Sequence, residues 1–244
     1  MSTKNVLVWI NTFNRLQSFS ELLADIDSQI GYNISVMVFN DHSDCKKEYE
    51  DIIEKYKECL NISYTYTDKN YGKHEYWKLY NQGLEKIKED YKHIDYFFRL
   101  DDDLRLIGND CFDKVINIWE NINDPKKISL MPLHDERVNK NQWTGIPAKE
   151  IEFNNYKVMK IGWIDDIYFC TNKFFEVVNR IPTISKVRWI DRPQISTGTG
   201  QYATRVLIKK HSLYGIHLDD CLITHEFDLT KNPSVMNRGY DDLC

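Results

Sequence analysis

The first hundred residues alternate between short apolar runs and longer stretches with helical spacing. Residues 6–11 form a run of the length and composition of a buried strand. Leu16, Phe19, Leu22, Leu23 and Ile26 then recur every three or four positions, which places them on one helix face. The alternation repeats with a strand over 34–39, a helix carrying Tyr49, Ile52, Ile53, Tyr56 and Leu60, and a strand over 62–66. A helix over 74–88 follows, with Trp77, Tyr80, Leu84 and Ile87 on one side. A fourth strand over 94–100 runs straight into Asp101, Asp102 and Asp103, and Cys111, Val115, Ile118, Trp119 and Ile122 mark a further helix. Strands alternating with helices of this length predict right-handed crossovers, and so an open, mainly parallel α/β sheet with helices on both faces.

All six prolines lie at or beyond Pro125, so the second half is expected to carry more loops. It reads as a strand over 128–133, a hairpin within 143–161 and a helix over 171–180 opened by Thr171. A loop from 181 to 200, a helix over 201–210 and two short strands over 213–217 and 221–225 precede an irregular tail. No linker divides the 244 residues, which predicts a single domain over 1–244.

In an open parallel sheet, ligands sit beyond the carboxyl ends of the strands. The most polar clusters fall there: Asn11-Thr-Phe-Asn14-Arg15, Asn40-Asp41, Asp68-Lys-Asn70-Tyr-Gly72 and Asp101 to Asp103. One such cluster is ordinary turn chemistry; four on one edge predict a binding site. Adjacent carboxylates repel unless a cation neutralises them. Hard divalent ions take such oxygens and complete their shell with water and phosphate. In extended chain Asp101 and Asp103 share a side, so one is placed to hold a metal while the other reaches a neighbouring part of a substrate. The plain alternative is a solvated turn with Asp102 as a helix cap.

With 37 acidic against 32 basic residues and no basic block, a nucleic-acid partner is not expected. No apolar run is long enough to span a bilayer, and the opening Met1-Ser-Thr-Lys-Asn5 lacks signal-peptide features. A cytoplasmic location is therefore expected, which leaves peripheral contact with a membrane surface open. The six cysteines, at 45, 59, 111, 170, 221 and 244, include no CxxC pair and are expected to be free thiols.

The order of these motifs resembles GT-A-type glycosyltransferases of the large family 2 kind. The run from Val6 to Arg15 is similar to their first strand and its Pro-Thr-Tyr-Asn-Arg-like turn. Val36-Met-Val-Phe-Asn-Asp-His-Ser-Asp44 is similar to their Val-Val-Asp-Asp-Gly-Ser segment, with Asn40 in place of a first Asp and His42 in place of Gly. Asn70-Tyr-Gly72 and Asn81-Gln-Gly83 resemble their Asn-x-Gly elements, and Asp101-x-Asp103 their Asp-x-Asp signature. The resemblance implies a GT-A-like (Rossmann-like) fold with a nucleotide-binding half over about 1–105 and an acceptor-side half over about 106–244.

It also implies residue roles. Thr12 and Asp41 would bind the nucleotide base, Asp101 would approach the ribose beside Asp102, and Asp103 would ligate Mn²⁺ or Mg²⁺ on the diphosphate. Asn14, Arg15 and Lys78 would help with base or phosphate contacts. Near the end, Cys221-Leu-Ile-Thr-His225 is similar to the family strand whose His joins the metal shell, a nitrogen ligand compatible with Mn²⁺.

An inverting transfer needs a carboxylate base within reach of the acceptor hydroxyl. Where many members place a Glu-Asp pair, this chain has Gly198-Thr199-Gly200. Asp191, or Asp166 with its neighbour Asp165, takes that role instead, with Trp163 and Trp189 as sugar-stacking candidates. The implied activity is metal-dependent transfer of a hexose or deoxyhexose from a nucleoside-diphosphate sugar, UDP-sugar favoured, to a glycan or other hydroxyl acceptor. A GT-A domain that binds nucleotide sugar or glycan without turnover is the second reading. A sugar-nucleotide pyrophosphorylase is disfavoured, because the turn after the first strand has no glycine.

Overall fold

The computed structural model describes residues 4–132, 149–153, 156–161, 167–181, 210–218 and 222–225. Strands β1 (Lys4–Thr12), β2 (Tyr32–Asn40), β3 (Asn61–Tyr66) and β4 (Tyr96–Asp101) alternate with helices α1 (Leu16–Asp27), α2 (Lys46–Tyr56) and α3 (Gly72–Asp90). A short strand β5 (Leu104–Leu106) leads to α4 (Cys111–Asn121) and β6 (Lys127–Met131). The second half adds β7 (Lys149–Phe153), β8 (Tyr156–Ile161), β9 (Tyr168–Cys170), α5 (Asn172–Val177), β10 (Tyr214–Leu218) and β11 (Ile223–His225).

Nine strands form one sheet in the order β3-β2-β1-β4-β9-β6-β10-β8-β7. Seven run in one sense, and β8 and β9 run against them. The mainly parallel sheet expected from the pattern is present, with an antiparallel strand inserted between β4 and β6. The alternation of side chains along each strand divides the core in two. Val6, Val8 and Ile10 of β1 pack with Phe19, Leu22 and Leu23 of α1, Tyr49 of α2 and Val115 of α4. Leu7 and Trp9 face the other way, onto Leu79, Tyr80 and Leu84 of α3 and Phe174 of α5. Each side chain of this size removed from water contributes about 1.5–3 kcal/mol, so both faces must stay covered.

Register sets up the functional edge. Thr12 lies opposite Asn40, Asn40 opposite Tyr66, and Asn11 opposite Asp101, so the last residues of four parallel strands form one row. The predicted strand over 221–225 differs from expectation. It survives only as β11, which leaves the main sheet and pairs antiparallel with β5 in a two-stranded ribbon. The helix opened at Thr171 stops at Val177, and Thr171 makes no side-chain capping bond. The expected helix over 201–209 and the loop over 182–200 lie outside the described residues. Among the described residues no helix is long and apolar enough to cross a membrane. Cys45, Cys59, Cys111 and Cys170 are free thiols.

Candidate functional site

The edge begins where β1 runs out. Asn14 adopts a left-handed conformation (φ 53°), and its backbone N–H donates to Ser43 Oγ at 2.9 Å. Its Nδ2 donates to Asp44 at 3.1 Å, and the Asp44 N–H returns a bond to Asn14 Oδ1 at 2.9 Å. The turn after β1 is thereby laced to the turn after β2. Tyr49, rising from α2, ties both to the helical layer: its hydroxyl oxygen accepts from Thr12 Oγ1 at 3.0 Å and from the Arg15 N–H at 2.9 Å. Burial pushes the Tyr49 phenol up to about 12, so it remains a neutral hydroxyl.

Asp41 joins the second turn to α3. Its Oδ1 accepts from the Tyr71 N–H at 2.8 Å and its Oδ2 from the Gly72 N–H at 2.9 Å. These are donors at a helix start, where a carboxylate also meets the positive end of the helix dipole. Burial raises the Asp41 carboxyl above its usual range, against the lowering effect of those two N–H groups. Each carboxylate oxygen retains a second lone pair, so Asp41 keeps acceptor capacity. Asn40 is fully buried and builds the turn: Oδ1 accepts from the Ser43 N–H at 2.8 Å, and Nδ2 donates to Tyr64 at 3.1 Å. His42 stands at φ 62°, a conformation that favours glycine. Its Nδ1 lies 2.9 Å from the Thr67 carbonyl oxygen, which makes Nδ1 the protonated nitrogen.

The three aspartates have different surroundings. Asp101 ends β4, and its Oδ1 pairs with Arg99 at 3.2 Å while its side chain stays one-third exposed. Asp102 is buried: Oδ1 accepts from Arg15 Nη1 at 2.7 Å, and Oδ2 accepts from the Phe13 N–H at 3.1 Å. Asp103 Oδ2 lies 2.9 Å from the same Arg15 nitrogen. The extended chain on which Asp101 and Asp103 are expected to share a side stops at Asp101, and Asp102 and Asp103 lie in the turn beyond it. The period-two alternation no longer applies there. Burial pushes the Asp102 carboxyl up, Arg15 opposes this, and Asp103 adds to it. Burial also disfavours charge on Arg15, but Asp102 and Asp103 outweigh it and hold the guanidinium protonated.

Beyond this turn, β5 pairs with β11 so that His225 lies opposite Leu104. The backbone of His225 is thus brought next to the residue that follows Asp103, although the two strands are far apart in sequence. Arg105 fixes the ribbon to α1, with Nε and Nη2 on the Asp25 carboxylate at 2.7 and 2.9 Å and Nη1 on Glu21 at 2.7 Å. Among the described side chains no three of His, Cys, Asp and Glu form a metal-binding group. The side chain of His225 is not among them. Of the residues implied for a hard cation, Asp103 stands one residue before Leu104, which strand register sets opposite the His225 backbone. Oxygen donors few in number suit an ion that brings water and phosphate as its remaining ligands.

Among the residues singled out by sequence, Thr12, Asn14, Arg15, Asp41, Asp101, Asp102 and Asp103 converge on this edge. Arg15 and Asp102 face into the protein, where they bind each other. Lys78 is on α3, ion-paired with Glu75. Asp191, Asp165 and Asp166, with Trp163, Trp189 and residues 198–200, lie outside the described residues. Sequence reasoning missed Tyr49, which it placed only in the core, and Arg99. The signal for Arg99 was present: a charged residue inside Tyr96-Phe-Phe-Arg-Leu, two positions before Asp101 and so on the same strand face.

A family model described as Glycosyl transferase family 2 matches residues 7–177. A comparison with curated proteins finds no match. Among solved structures, S. aureus TarS 1–349 is similar at 16% identity and a TM-score of 0.58, over 95% of this chain and 63% of that one. The mannosyltransferase PcManGT from Pyrobaculum calidifontis, in complex with GDP-Man and Mn²⁺, is similar at 14% identity and a TM-score of 0.62, over 98% and 61%. TarS 1–349 in complex with UDP-GlcNAc matches at 15% identity and a TM-score of 0.57, over 90% and 58%. The chain spans less than two thirds of the length of each of these structures. The fold they share is the GT-A fold of glycosyltransferases.

Proposed function

The chain belongs to glycosyl transferase family 2, and on that footing we propose that it moves a hexose or deoxyhexose from a nucleoside-diphosphate sugar, a UDP-sugar by preference, to a hydroxyl of a glycan or glycosylated acceptor, with inversion and with Mn²⁺ or Mg²⁺. The observation that carries this reading is the row of strand ends that brings Thr12, Asp41, Asp101 and Asp103 to one edge. Similar folds have been solved with UDP-GlcNAc in TarS and with GDP-Man and Mn²⁺ in PcManGT.

In this reading residues 1–105 hold the donor and residues 106–244 hold the acceptor, in the cytoplasm. Asp41 accepts from a ring N–H of the base, and Thr12 lines the same pocket. Asp101, the most exposed of the three aspartates, accepts from the ribose. Asp103 and His225 are the residues that would hold the cation. When bound there, a divalent ion neutralises charge developing on the diphosphate leaving group. Arg15 orients Asp102 and Asp103, and Asp191 or Asp166 removes the acceptor proton.

The test is thermal stability with UDP, GDP, dTDP and CDP, each with Mn²⁺, Mg²⁺ or chelator, repeated on Asp103→Ala. A ligand at 100 times its Kd adds about 2.7 kcal/mol. A metal-dependent shift with one nucleotide, lost in the variant, supports the proposal; no shift with any of them overturns it. The absence of a carboxylate at residues 198–200 favours, as second reading, a domain that binds without turnover. Turnover of nucleotide sugar by the wild type that is lost in Asp191→Asn or in Asp166→Asn, tested separately, decides against it.

A further inference from the structure

Arg99 is 1% exposed, in a strand whose neighbours Phe97, Phe98 and Leu100 are all apolar and buried. Taking a guanidinium out of water is costly, and replacing a buried charge by an apolar side chain of similar volume is often neutral. Its contacts point toward the functional edge. Nη2 meets Asp101 Oδ1 at 3.2 Å and also donates to the Tyr76 hydroxyl, and Nη1 donates to the Leu100 carbonyl. The guanidinium lies 5.3 Å from the centre of the Trp9 ring. Trp9 Nε1 donates to Asn11 Oδ1 at 2.9 Å, and Asn11 Nδ2 donates to Tyr76 at 2.9 Å. Asn11 is the residue opposite Asp101 in the β1–β4 register. These five side chains therefore hold one another beside the carboxyl ends of two adjacent strands, with Asp101 and the partly buried Tyr76 of α3 as the members that reach solvent.

An exposed aspartate at a strand end samples several rotamers and spends little time in any one. A charge-assisted bond from a buried, immobile donor to one oxygen removes that freedom and leaves the second oxygen to accept from a ligand hydroxyl. We propose that Arg99 is the positioning residue that holds Asp101 as the ribose-reading carboxylate, so that discrimination between ribo- and deoxyribonucleotides in this chain runs through Arg99, Tyr76 and Asp101. The proposal rests on the nucleotide-sugar reading above. It gives a role in ligand reading to a charge buried beside the functional edge.

The experiment is calorimetric titration of the chain with UDP, GDP and CDP, each beside its 2′-deoxy and 3′-deoxy counterparts, in Mn²⁺. Wild type is compared with Arg99→Met, Arg99→Lys and Tyr76→Phe, and melting curves establish that each variant is folded. Wild type is expected to favour a ribonucleotide over one deoxy counterpart by roughly tenfold or more, the worth of a hydrogen bond to a charged group. In Arg99→Met that ratio falls toward one, in Arg99→Lys part of it returns, and in Tyr76→Phe it drops several-fold. If Arg99→Met does not fold, the Lys and Phe variants carry the test by themselves. A ratio unchanged in the folded variants, or absent from wild type, overturns the role of Arg99 while nucleotide binding stands. Wild type that binds none of the nucleotides overturns the parent reading as well.

Discussion

Arg15 Nη1 stands 2.7 Å from Asp102 Oδ1, with both side chains almost fully removed from solvent. The pair joins the turn after β1 to the turn after β4, and so defines the gap between two walls of the edge. Breaking a buried pair from one side costs about 3–5 kcal/mol when it leaves an uncompensated charge; here Asp103, 2.9 Å from the same Arg15 nitrogen, remains as a partner and lessens the loss. Asp102→Ala is expected to lower the unfolding free energy by up to about 3 kcal/mol, seen as a lower denaturation midpoint at an unaltered denaturant slope. Asp102→Asn, which keeps an acceptor for the Phe13 N–H, is expected to lose less. Equal losses in the two variants would show that the charge, and not the acceptor for the Phe13 N–H, carries the contribution.

Acid should act on nucleotide binding through Asp41. Its folded-state carboxyl is raised by burial, so between the ordinary aspartate range and that raised value the folded protein holds a proton that the unfolded chain has released. In this window the group's contribution to stability falls as pH rises. On the proposed role of Asp41 as acceptor for a base N–H, affinity runs the other way, because the ionised carboxylate is the stronger acceptor. Titrations with UDP across the acid range are expected to show affinity climbing as Asp41 ionises, with a midpoint above the usual aspartate value. Asp41→Asn should bind weakly and without that climb.

Gly83 on α3 leaves no room for a side chain. A Cβ there would lie 2.1 Å from Trp9 Cζ2, in a core where the indole is fixed by its bond to Asn11. Overpacking of this kind costs about 1–3 kcal/mol. Gly83→Ala is expected to lower the melting temperature and, by displacing Trp9, to weaken nucleotide binding as well. Normal binding in a destabilised variant would separate the indole from the site.

His42 occupies a backbone conformation that costs a residue with a Cβ about 1–2 kcal/mol. The bond from Nδ1 to Thr67 and the contact with the Tyr66 ring, centroids 5.0 Å apart, offset that strain. His42→Gly removes strain and bond together and is expected to change stability by less than about 1 kcal/mol. His42→Val keeps the strain and loses the bond, and is expected to cost about 2 kcal/mol or more. Denaturation of the two variants side by side checks the sign of the difference.

What the sequence revealed follows from which forces are local. Strands β1 to β4 and helices α1 to α4 were legible because each must bury an unbroken run or a spaced stripe. Strands β5 and β9 have three residues apiece, too few to carry a period, and they exist because neighbouring strands offer them partners. The crowding of Thr12, Asp41 and Asp101 at one edge was readable from strand parity and strand ends. Arg15 looked like a ligand contact because nothing nearby in sequence announces Asp102 and Asp103 as its partners. The shared side of Asp101 and Asp103 was expected from a rule for extended chain, and Asp103 stands two residues past the end of its strand.

The pairing of β5 with β11 also sets an order of events as the chain is made. Strand β5 and α1 leave the ribosome early, and Arg105 can clamp them as soon as both exist. Its partner strand arrives only when synthesis reaches residue 225, after every strand of the large sheet has been produced. Closing so long a loop adds only a logarithmic entropy cost to the finished structure, but pairing at such separation is slow. A nascent chain therefore carries an open β5 edge just beyond Asp103 until residue 225 has been made, which makes that edge the place where a folding helper or a wrong strand would meet it.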